Sequence, residues 1–469
     1  MSSKNIVPIN EERAFEVQEL FFSVTDLKGV IRFGNEVFTR ISGYDEPDLI
    51  GKPHNVIRHP DMPRAVFKLL WDYLESDRPI AAYVKNMAKD GRYYWVLATV
   101  MPIPGGYLSI RLKPTSPLFA AVKGVYAEAL SLERTVEKET GNRKTAMEAA
   151  TGLILEKLAA HGFADYDAFM SEALSQELVC REAQLREVGY TAPTRFGAAK
   201  NAYGALEEQC CMLASKLTAV FSSTGTFKQL SEELSKKYQA IQELGPSLQF
   251  LALNARMAAS RLGDQGVVQA AVADALGAKS KQAEGFIHSL IERMTPLQHA
   301  TNKQVFDIAV ARFEADMAHA FAAELKDAPP DSHCLRVRES LTAVTDELAK
   351  RCGAVMESMQ LLDYETHKAQ IDVQELITRI VEMKAIQLNG KIEAAASDAK
   401  SDFSVIFEEA SRYIEGGRTD CGVLLDVLEV SSDEINSFRQ LEPELQSDLR
   451  TMCDTTERAV SGGLEAVPA

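Results

Sequence analysis

GKPHNVIRHPDMPRAVFKLLW, Gly51 to Trp71, decides how this chain is read. Histidine, arginine and aspartate stand together in it, punctuated by prolines. Pro60 and Pro63 fix φ and remove backbone donors, so Arg58, His59 and Asp61 are placed on a stiff, turned segment and not on ordinary helix. The pattern then changes: Ala65, Val66, Leu69 and Leu70 recur at helical spacing, and Trp71 closes the apolar face.

Outward from this stretch the chain reads as strands. FFSVTDLKGVIRFGN, Phe21 to Asn35, is two β-branched and aromatic runs divided by Asp26, Lys28 and Gly29, a hairpin signal. YVKNMAKDGRYYWVLATVMPI repeats the pattern with a turn at Asp90-Gly91, and GGYLSIRL from Gly105 supplies a last strand. Two strands, short helices and three strands predict an antiparallel sheet with flanking helices, a small α+β domain over residues 1–117.

The order FGNEVFTRISGY, GKPHNVIRHPDMP, VKNMAKDGRYYWV and GYLSIR resembles the PAS sensor domain of bacterial aerotaxis receptors. In that family the domain holds FAD non-covalently and reports its redox state. The resemblance implies a flavin site here, at the matching positions Asn35, Arg58, His59, Asp61 and Asn86. Arginine and histidine can pair with phosphate or a flavin carbonyl, and a buried asparagine offers donor and acceptor to a ring edge. The chain departs from the family at Pro79-Ile80-Ala81, where an aromatic wall is common. The plainer alternative makes Arg58, His59 and Asp61 a satisfied polar turn in an empty PAS core.

Composition, at 46% apolar, 25% charged and 7% aromatic, fits a soluble, largely helical protein of more than one domain. A net charge of −16 without a long basic run argues against nucleic acid, an anionic membrane and acidic partners. Seven cysteines, at wide and irregular spacings apart from the adjacent Cys210-Cys211 and without a C-x-x-C motif, predict free thiols in a reducing cytoplasm and no metal site. MSSKNIVPINEERAF lacks a hydrophobic signal core, and no apolar run approaches a membrane span. Membrane-tethered aerotaxis receptors carry an anchor after the PAS domain, so a cytoplasmic protein without membrane insertion is expected here.

From Pro117 the sequence turns helical. Breaks at Gly141-Asn142 and at His161 to Asp165 predict three helices in a connector over 118–195, with a linker at Gly189 to Pro193. The remainder, 196–469, reads as very long helices containing two similar stretches, LQFLALNARMAASRLGDQG at 248–266 and AIQLNGKIEAAASDAKSDF at 385–403. Both resemble the hairpin tip of methyl-accepting chemotaxis receptors, which binds a coupling protein and a histidine kinase. Leu251 to Ala255 and the Gly263 to Gly266 turn match one part of that pattern, and Ile392 to Ala395 match another. The resemblance implies partner contacts at Asn254, Arg256, Asn389 and Glu393, to those two proteins or to other chemoreceptors. Ala258 in place of glutamate, Val267-Val268-Gln269 after the turn, and the lack of turn glycines in the second copy mark both tips as degenerate.

Turns at Gly263 to Gly266, at Ala328 to Asp331 and near Asp398 to Asp402 leave arms of roughly sixty residues, folding into a long antiparallel bundle. One chain would then supply both hairpins of a four-helix pseudo-dimer. The alternatives are a looser bundle or a homodimer, and an obligate dimer in ultracentrifugation would count against the single-chain version. Leu341, Val344, Leu348, Val355, Met359 and Leu362 form a coiled-coil-like seam, while Gly245-Pro246, Pro296 and Gly416-Gly417 predict kinks or breaks. No nucleotide motif follows the helical histidines and no catalytic triad is recognisable, so no enzymatic activity is expected. Two functions remain. One is a cytoplasmic aerotaxis-type transducer sensing redox or oxygen through flavin; the other is a scaffold or modulator of receptor arrays with a ligand-free PAS domain.

Overall fold

In the computed structural model, which describes residues 6–187, 189, 202–326, 332–396 and 400–462, the expected hairpin forms from β2 (Phe21–Asp26) and β3 (Ile31–Gly34). Asp26 makes its turn: the side-chain Oδ1 accepts the N–H groups of Lys28 and Val30 at 2.8 and 2.9 Å. Gly29 sits there at φ 73°, and any Cβ would lie 3.3 Å from the Trp71 ring, so glycine serves both the turn and the contact. Asn35 accepts the Phe38 N–H and starts α1 (Glu36–Ser42); α2 (Glu46–Leu49), a 3-10 turn at His54–Ile57 and α3 (Arg64–Leu74) follow. Pro63 stands immediately before α3, where its missing donor costs nothing.

β4 (Ile80–Met87), β5 (Arg92–Ile103) and β6 (Gly106–Leu112) complete an antiparallel core in the order β4-β5-β6-β2-β3. One strand was not foreseen: β1 (Ile9–Glu12) pairs in parallel with the start of β5. All four of its residues are exposed, so no apolar alternation announces it.

The sheet has two different faces. Ser23, Thr25, Val84, Asn86, Ala98, Val100, Tyr107, Ser109 and Arg111 line a cavity beneath α3. The outer face is covered by α4 (Pro117–Thr140) and α6 (Tyr166–Glu187), with α5 (Arg143–Ala160) between them in sequence. Glu177 of α6, fully buried, accepts the Thr115 and Ser116 N–H groups and the Tyr83 and Ser116 hydroxyls, fixing the exit from β6 into α4. The edge strand β4 is sealed from both ends of its length. Ala81 donates its N–H to Met170 Sδ and accepts from the Tyr166 hydroxyl, and Arg58 bridges to Asn86.

Beyond these lie four long helices, α7 (Ala202–Ser260), α8 (Val267–Lys326), α9 (Ser332–Ala396) and α10 (Lys400–Gly462), of 59, 60, 65 and 63 residues. The expected turn at Gly263–Gly266 is a 3-10 turn. The expected turn at Ala328 to Asp331 and most of the linker from Gly189 lie outside the described residues, as do 397–399 of the third turn. All six seam residues from Leu341 to Leu362 are buried. No break occurs at the prolines or the glycine pair: α7 continues through Gly245-Pro246, α8 through Pro296 and α10 through Gly416-Gly417. Leu244 and Leu248 on α7, and Met294 and Leu297 on α8, are buried around the prolines, and this packing outweighs one lost hydrogen bond. Gly417 has a packing reason, since the Leu244 side chain would lie 2.6 Å from a Cβ there.

The chain divides into two compact units. The first contains Met1–Phe221, Val305–Val355 and Pro443–Ala469. Within it Phe321 of α8, fully buried, meets Phe22 edge-on at 4.8 Å and lies 6.3 Å from Phe33, so a long helix packs directly on the β2-β3 part of the sheet. Arg181 of α6 pairs with Asp316 of α8 at 3.0 Å, and Arg336 of α9 pairs with Glu46 at 2.5 Å. Arg351 gathers three buried carboxylates, Asp307 and Glu314 at 3.1 Å and Glu347 at 2.8 Å. Burial pushes the Glu314 carboxyl up to about 8, and its Oε2 has no hydrogen-bond partner. Because the folded state then holds a proton that the unfolded chain releases at lower pH, stability must fall as pH rises from about 5 to 8. A Glu314→Gln variant is expected to lose that slope and to melt higher than the parent at pH 8, by a few degrees. Thermal denaturation at pH 5.5 and 8 checks it; an unchanged slope removes Glu314 as its source.

The second unit contains Ser222–Gln304 and Met356–Glu442. Here α7 pairs with α8 through Arg256–Asp274 at 3.0 Å, and α9 with α10 through Gln387, which donates to the Phe407 carbonyl at 2.8 Å. Gly390 lets the Phe407 ring come within 2.5 Å of where a Cβ would stand. The hairpins meet side by side: Lys279 pairs with Glu382 at 3.0 Å, and Ser280 Oγ lies 3.5 Å from Met383 Sδ. Segments of all four long helices thus pack within this unit. Among the described residues no helix is long and apolar enough to cross a membrane.

Candidate functional site

The cavity between the sheet and α3 has a volume of about 260 Å3. Its walls are aromatic and aliphatic: Trp71 and Tyr107 meet edge-on at 5.7 Å, beside Phe67, Leu70 and Leu74 of α3 and Val84 and Val100 of the sheet. The Leu70 and Trp71 side chains that close the apolar face of the helix thus face the cavity. The aromatic wall of the cavity is Trp71 and Tyr107.

Polar groups converge on this apolar space. Arg111, 5% exposed, donates from Nη2 to Ser23 Oγ at 2.8 Å and to His54 Nε2 at 2.7 Å. That second bond needs an unprotonated Nε2, and the His54 imidazole is neutral: burial and the Arg111 charge hold its pKa well below the usual histidine range. His54 is clamped by stacking on Phe38, with ring centroids 5.7 Å apart. The other guanidinium nitrogen, Nη1 of Arg111, has no partner, and neither has the Ser109 hydroxyl two residues away on the same face of β6. Burial lowers the Arg111 pKa to about 10, so it stays charged at neutral pH. No acidic residue lines the cavity among the described residues. A buried cation without a counter-ion is costly, and an electron-rich ligand edge offsets that cost.

The expected site residues separate in space. Arg58 and Asn86 line the cavity, Arg58 with its guanidinium 4.4 Å over the Phe67 ring and its Nη2 donating to the Met62 carbonyl at 2.8 Å. Asn35 does not line it. Its Oδ1 accepts from the Phe22 and Phe38 N–H groups and its Nδ2 donates to the Leu20 carbonyl, so its hydrogen-bonding atoms are taken up in tying β2 to α1. His59 is buried behind the turn; its Nδ1 accepts the Asp61 N–H at 3.1 Å, and burial followed by the Lys85 charge lowers its pKa to about 4. Asp61 faces away from the cavity and pairs with Lys85 at 3.1 Å. His54, Arg111, Ser23 and Ser109 were missed. The available signal was the polar alternation Ser109, Arg111 inside an otherwise apolar strand, and the first histidine of the Gly51 to Trp71 stretch.

The residues expected to bind partners lie in the second unit. Arg256 and Asn389 are exposed, and Asn254 and Glu393 are half-buried. Beside them run exposed apolar side chains at helical spacing, Phe250, Leu253 and Met257 on α7 and Leu388 and Ile392 on α9.

A family model described as the PAS fold matches residues 31–107, and the N-terminal domain is a PAS domain followed by a long helical region. Over 121 residues the chain is 41% identical to the aerotaxis receptor of Escherichia coli strain K12, which covers 25% of this chain and 24% of that protein. It is 26% identical over 136 residues to a nitrogen fixation regulatory protein of Klebsiella pneumoniae, covering 29% and 25%. The chain thus spans about a quarter of the length of these curated relatives. Among solved structures, a PAS domain from Colwellia psychrerythraea is 25% identical, covering 20% of this chain and 85% of that one, with a TM-score of 0.19.

Proposed function

We propose, for a chain whose N-terminal domain is a PAS domain, that it is an aerotaxis-type signal transducer sensing redox or oxygen through a flavin held in the cavity above the sheet. The observation that carries this reading is Arg111, a buried cation with one nitrogen unpartnered in a cavity without a lining carboxylate. A flavin ring offers a carbonyl-rich edge for Arg111, Ser109 and Asn86, and flat faces for Trp71 and Tyr107. The residues present fit the group. When bound, flavin supplies reversible electron transfer. The chain's own part is to hold the ring, exclude water and register its charge. Arg58 and Asn86 would contact the ligand, while His59 and Asn35 position the turn and β2 around it.

The signal leaves by a short path in this reading. Ser23, hydrogen-bonded to Arg111, is next in sequence to Phe22, which packs on Phe321 of α8. A change in Arg111 hydrogen bonding is thereby passed to a long helix through one strand. The output is proposed to reach a chemotaxis coupling protein and histidine kinase, or other chemoreceptors, at the helical tips. The exposed Phe250, Leu253, Met257, Leu388 and Ile392 support that surface. The relative called an aerotaxis receptor supports the stimulus, and no enzymatic step is proposed.

The test is an absorption spectrum of the purified chain between about 350 and 500 nm, before and after dithionite. Flavin bands that bleach on reduction are expected. A featureless spectrum after incubation with excess FAD, FMN and riboflavin would sink the sensor reading and favour a ligand-free scaffold.

A further inference from the structure

The roof of the cavity is α3, and its polar anchors lie outside the sheet. Phe67, Leu70, Trp71 and Leu74 line the cavity, while α5 packs along the helix and α4 and α6 reach its two ends. The sequence explains why the first end needs help. Pro63 stands in the cap position without a side-chain acceptor, and the first turn of α3 carries no acid, so the free N–H groups there have no local partner. Glu133 of α4, 2% exposed, supplies one from 68 positions away: its Oε2 accepts the Ala65 N–H at 3.2 Å, and its Oε1 accepts Arg64 Nε at 2.6 Å. Arg64 also pairs with Glu137, one turn further along α4, and Glu137 pairs with Arg143 at the start of α5 at 3.0 Å.

The other end is held from α6. Tyr73 donates its hydroxyl to Asp167 Oδ1 at 2.6 Å, and Arg78, just beyond α3, donates to Asp167 Oδ2 at 2.5 Å with its guanidinium 4.4 Å over the Tyr73 ring. Among the described residues, every hydrogen bond from α3 to another element ends on a connector carboxylate. Toward the cavity its contacts are apolar and aromatic, such as Trp71 against Tyr107 and Gly29. Apolar contact is non-directional and tolerates a shift of the roof, whereas charge-assisted bonds fix a position. Three carboxylates, Glu133, Glu137 and Asp167, therefore set where the roof sits.

We propose that α4 and α6 latch α3 over the cavity, so that the connector helices govern ligand entry and release at the PAS site. Glu133 and Asp167 are positioning residues that keep the roof closed. The proposal rests on the flavin reading above only for the identity of the ligand, because the latch belongs to the empty cavity as well. A ligand that passes α3 enters and leaves at a rate set by the latch, and whatever shifts α4 or α6 changes that rate.

The experiment compares the full chain with a Glu133→Ala, Asp167→Ala variant and with Lys68→Ala, which removes only the Lys68–Asp72 pair within α3. Three quantities are measured: hydrogen exchange without ligand, acrylamide quenching of Trp71, and stopped-flow binding of riboflavin. The chain has two tryptophans, so the quenching is done in a Trp95→Phe background that leaves Trp71 as the reporter. In the latch variant, exchange over 64–74 is expected to be about tenfold faster or more with β5 and β6 unchanged, and quenching about twofold stronger. Riboflavin should enter and leave about threefold faster or more. Lys68→Ala should behave as the parent. Unchanged exchange and quenching overturn the latch, as do faster exchange across the whole sheet or the same changes in Lys68→Ala, which make the carboxylates ordinary stabilising contacts. Looser α3 with unaltered riboflavin rates overturns control of entry. Riboflavin bound by neither protein overturns the flavin reading instead, and exchange and quenching still decide the latch. If the alanine variant does not fold, Glu133→Gln with Asp167→Asn keeps shape and an acceptor at each position, and it should move the same quantities in the same direction by less.

Discussion

Arg111→Met is expected to raise the melting temperature of the ligand-free protein while weakening flavin binding by about ten- to a hundredfold. The two effects have one cause. In the empty cavity the guanidinium is desolvated, satisfied only through Nη2, and left with Nη1 unpaired. Exchanging it for an apolar side chain of similar length removes a desolvation cost of about 1–3 kcal/mol, against the loss of hydrogen bonds to Ser23 and His54. With ligand present the balance reverses, because the same guanidinium becomes the partner of the electron-rich ring edge. Flavin that still binds the variant is expected to reduce at a potential lower by tens of millivolts, since a buried positive charge favours the added electrons; about 30 mV corresponds to 1.4 kcal/mol for two electrons. Calorimetric melting without ligand and redox titration with it measure the two arms. A variant that melts lower and binds flavin as before would make Arg111 an ordinary structural residue.

Phe321→Ala should be the more destabilising change, by about 3–5 kcal/mol, because a fully buried ring against Phe22 and Phe33 is replaced by a cavity. Its second consequence concerns signalling. If β2 carries the state of the cavity to α8, flavin binding in the parent should change hydrogen exchange in the α8 segment from Val305 to Lys326. In Phe321→Ala that response should vanish although flavin still binds, because Arg111, Ser109 and Trp71 are untouched. Phe321→Leu, which keeps most of the contact, should retain both stability and response. An undiminished exchange response in the alanine variant would route the signal elsewhere, for instance through Glu177 and α6.

Much of the architecture was legible because it depends on local chemistry. The turn residues Asp26 and Gly29 and the prolines around Asp61 each act within a few positions of themselves. The coiled-coil seam on α9 was readable for the same reason, since a repeat of seven needs no knowledge of its partner. At Gly245-Pro246, Pro296 and Gly416-Gly417 the helices do not break, because local breaking tendencies compete with burial along the whole helix, and burial won.

The site was harder. Asn35, Arg58, His59, Asp61 and Asn86 are close in motif order, yet only Arg58 and Asn86 reach the cavity. Strand alternation and a turn send their neighbours to other faces. Arg111 and Ser23 are 88 positions apart and meet only because β2 and β6 are adjacent strands. Lys85, Lys123, Arg134 and Lys138 form no basic run in the sequence; helix periodicity and the sheet edge bring them to one groove. The sequence by itself determined the elements other than β1, the PAS order of its motifs and the approximate lengths of the long helices, since these follow from propensity and pattern within a window. Tertiary structure alone decided which polar groups share a cavity, which cations share a groove and which phenylalanine of the bundle meets the sheet, because those are contacts between residues that the chain brings together only by folding.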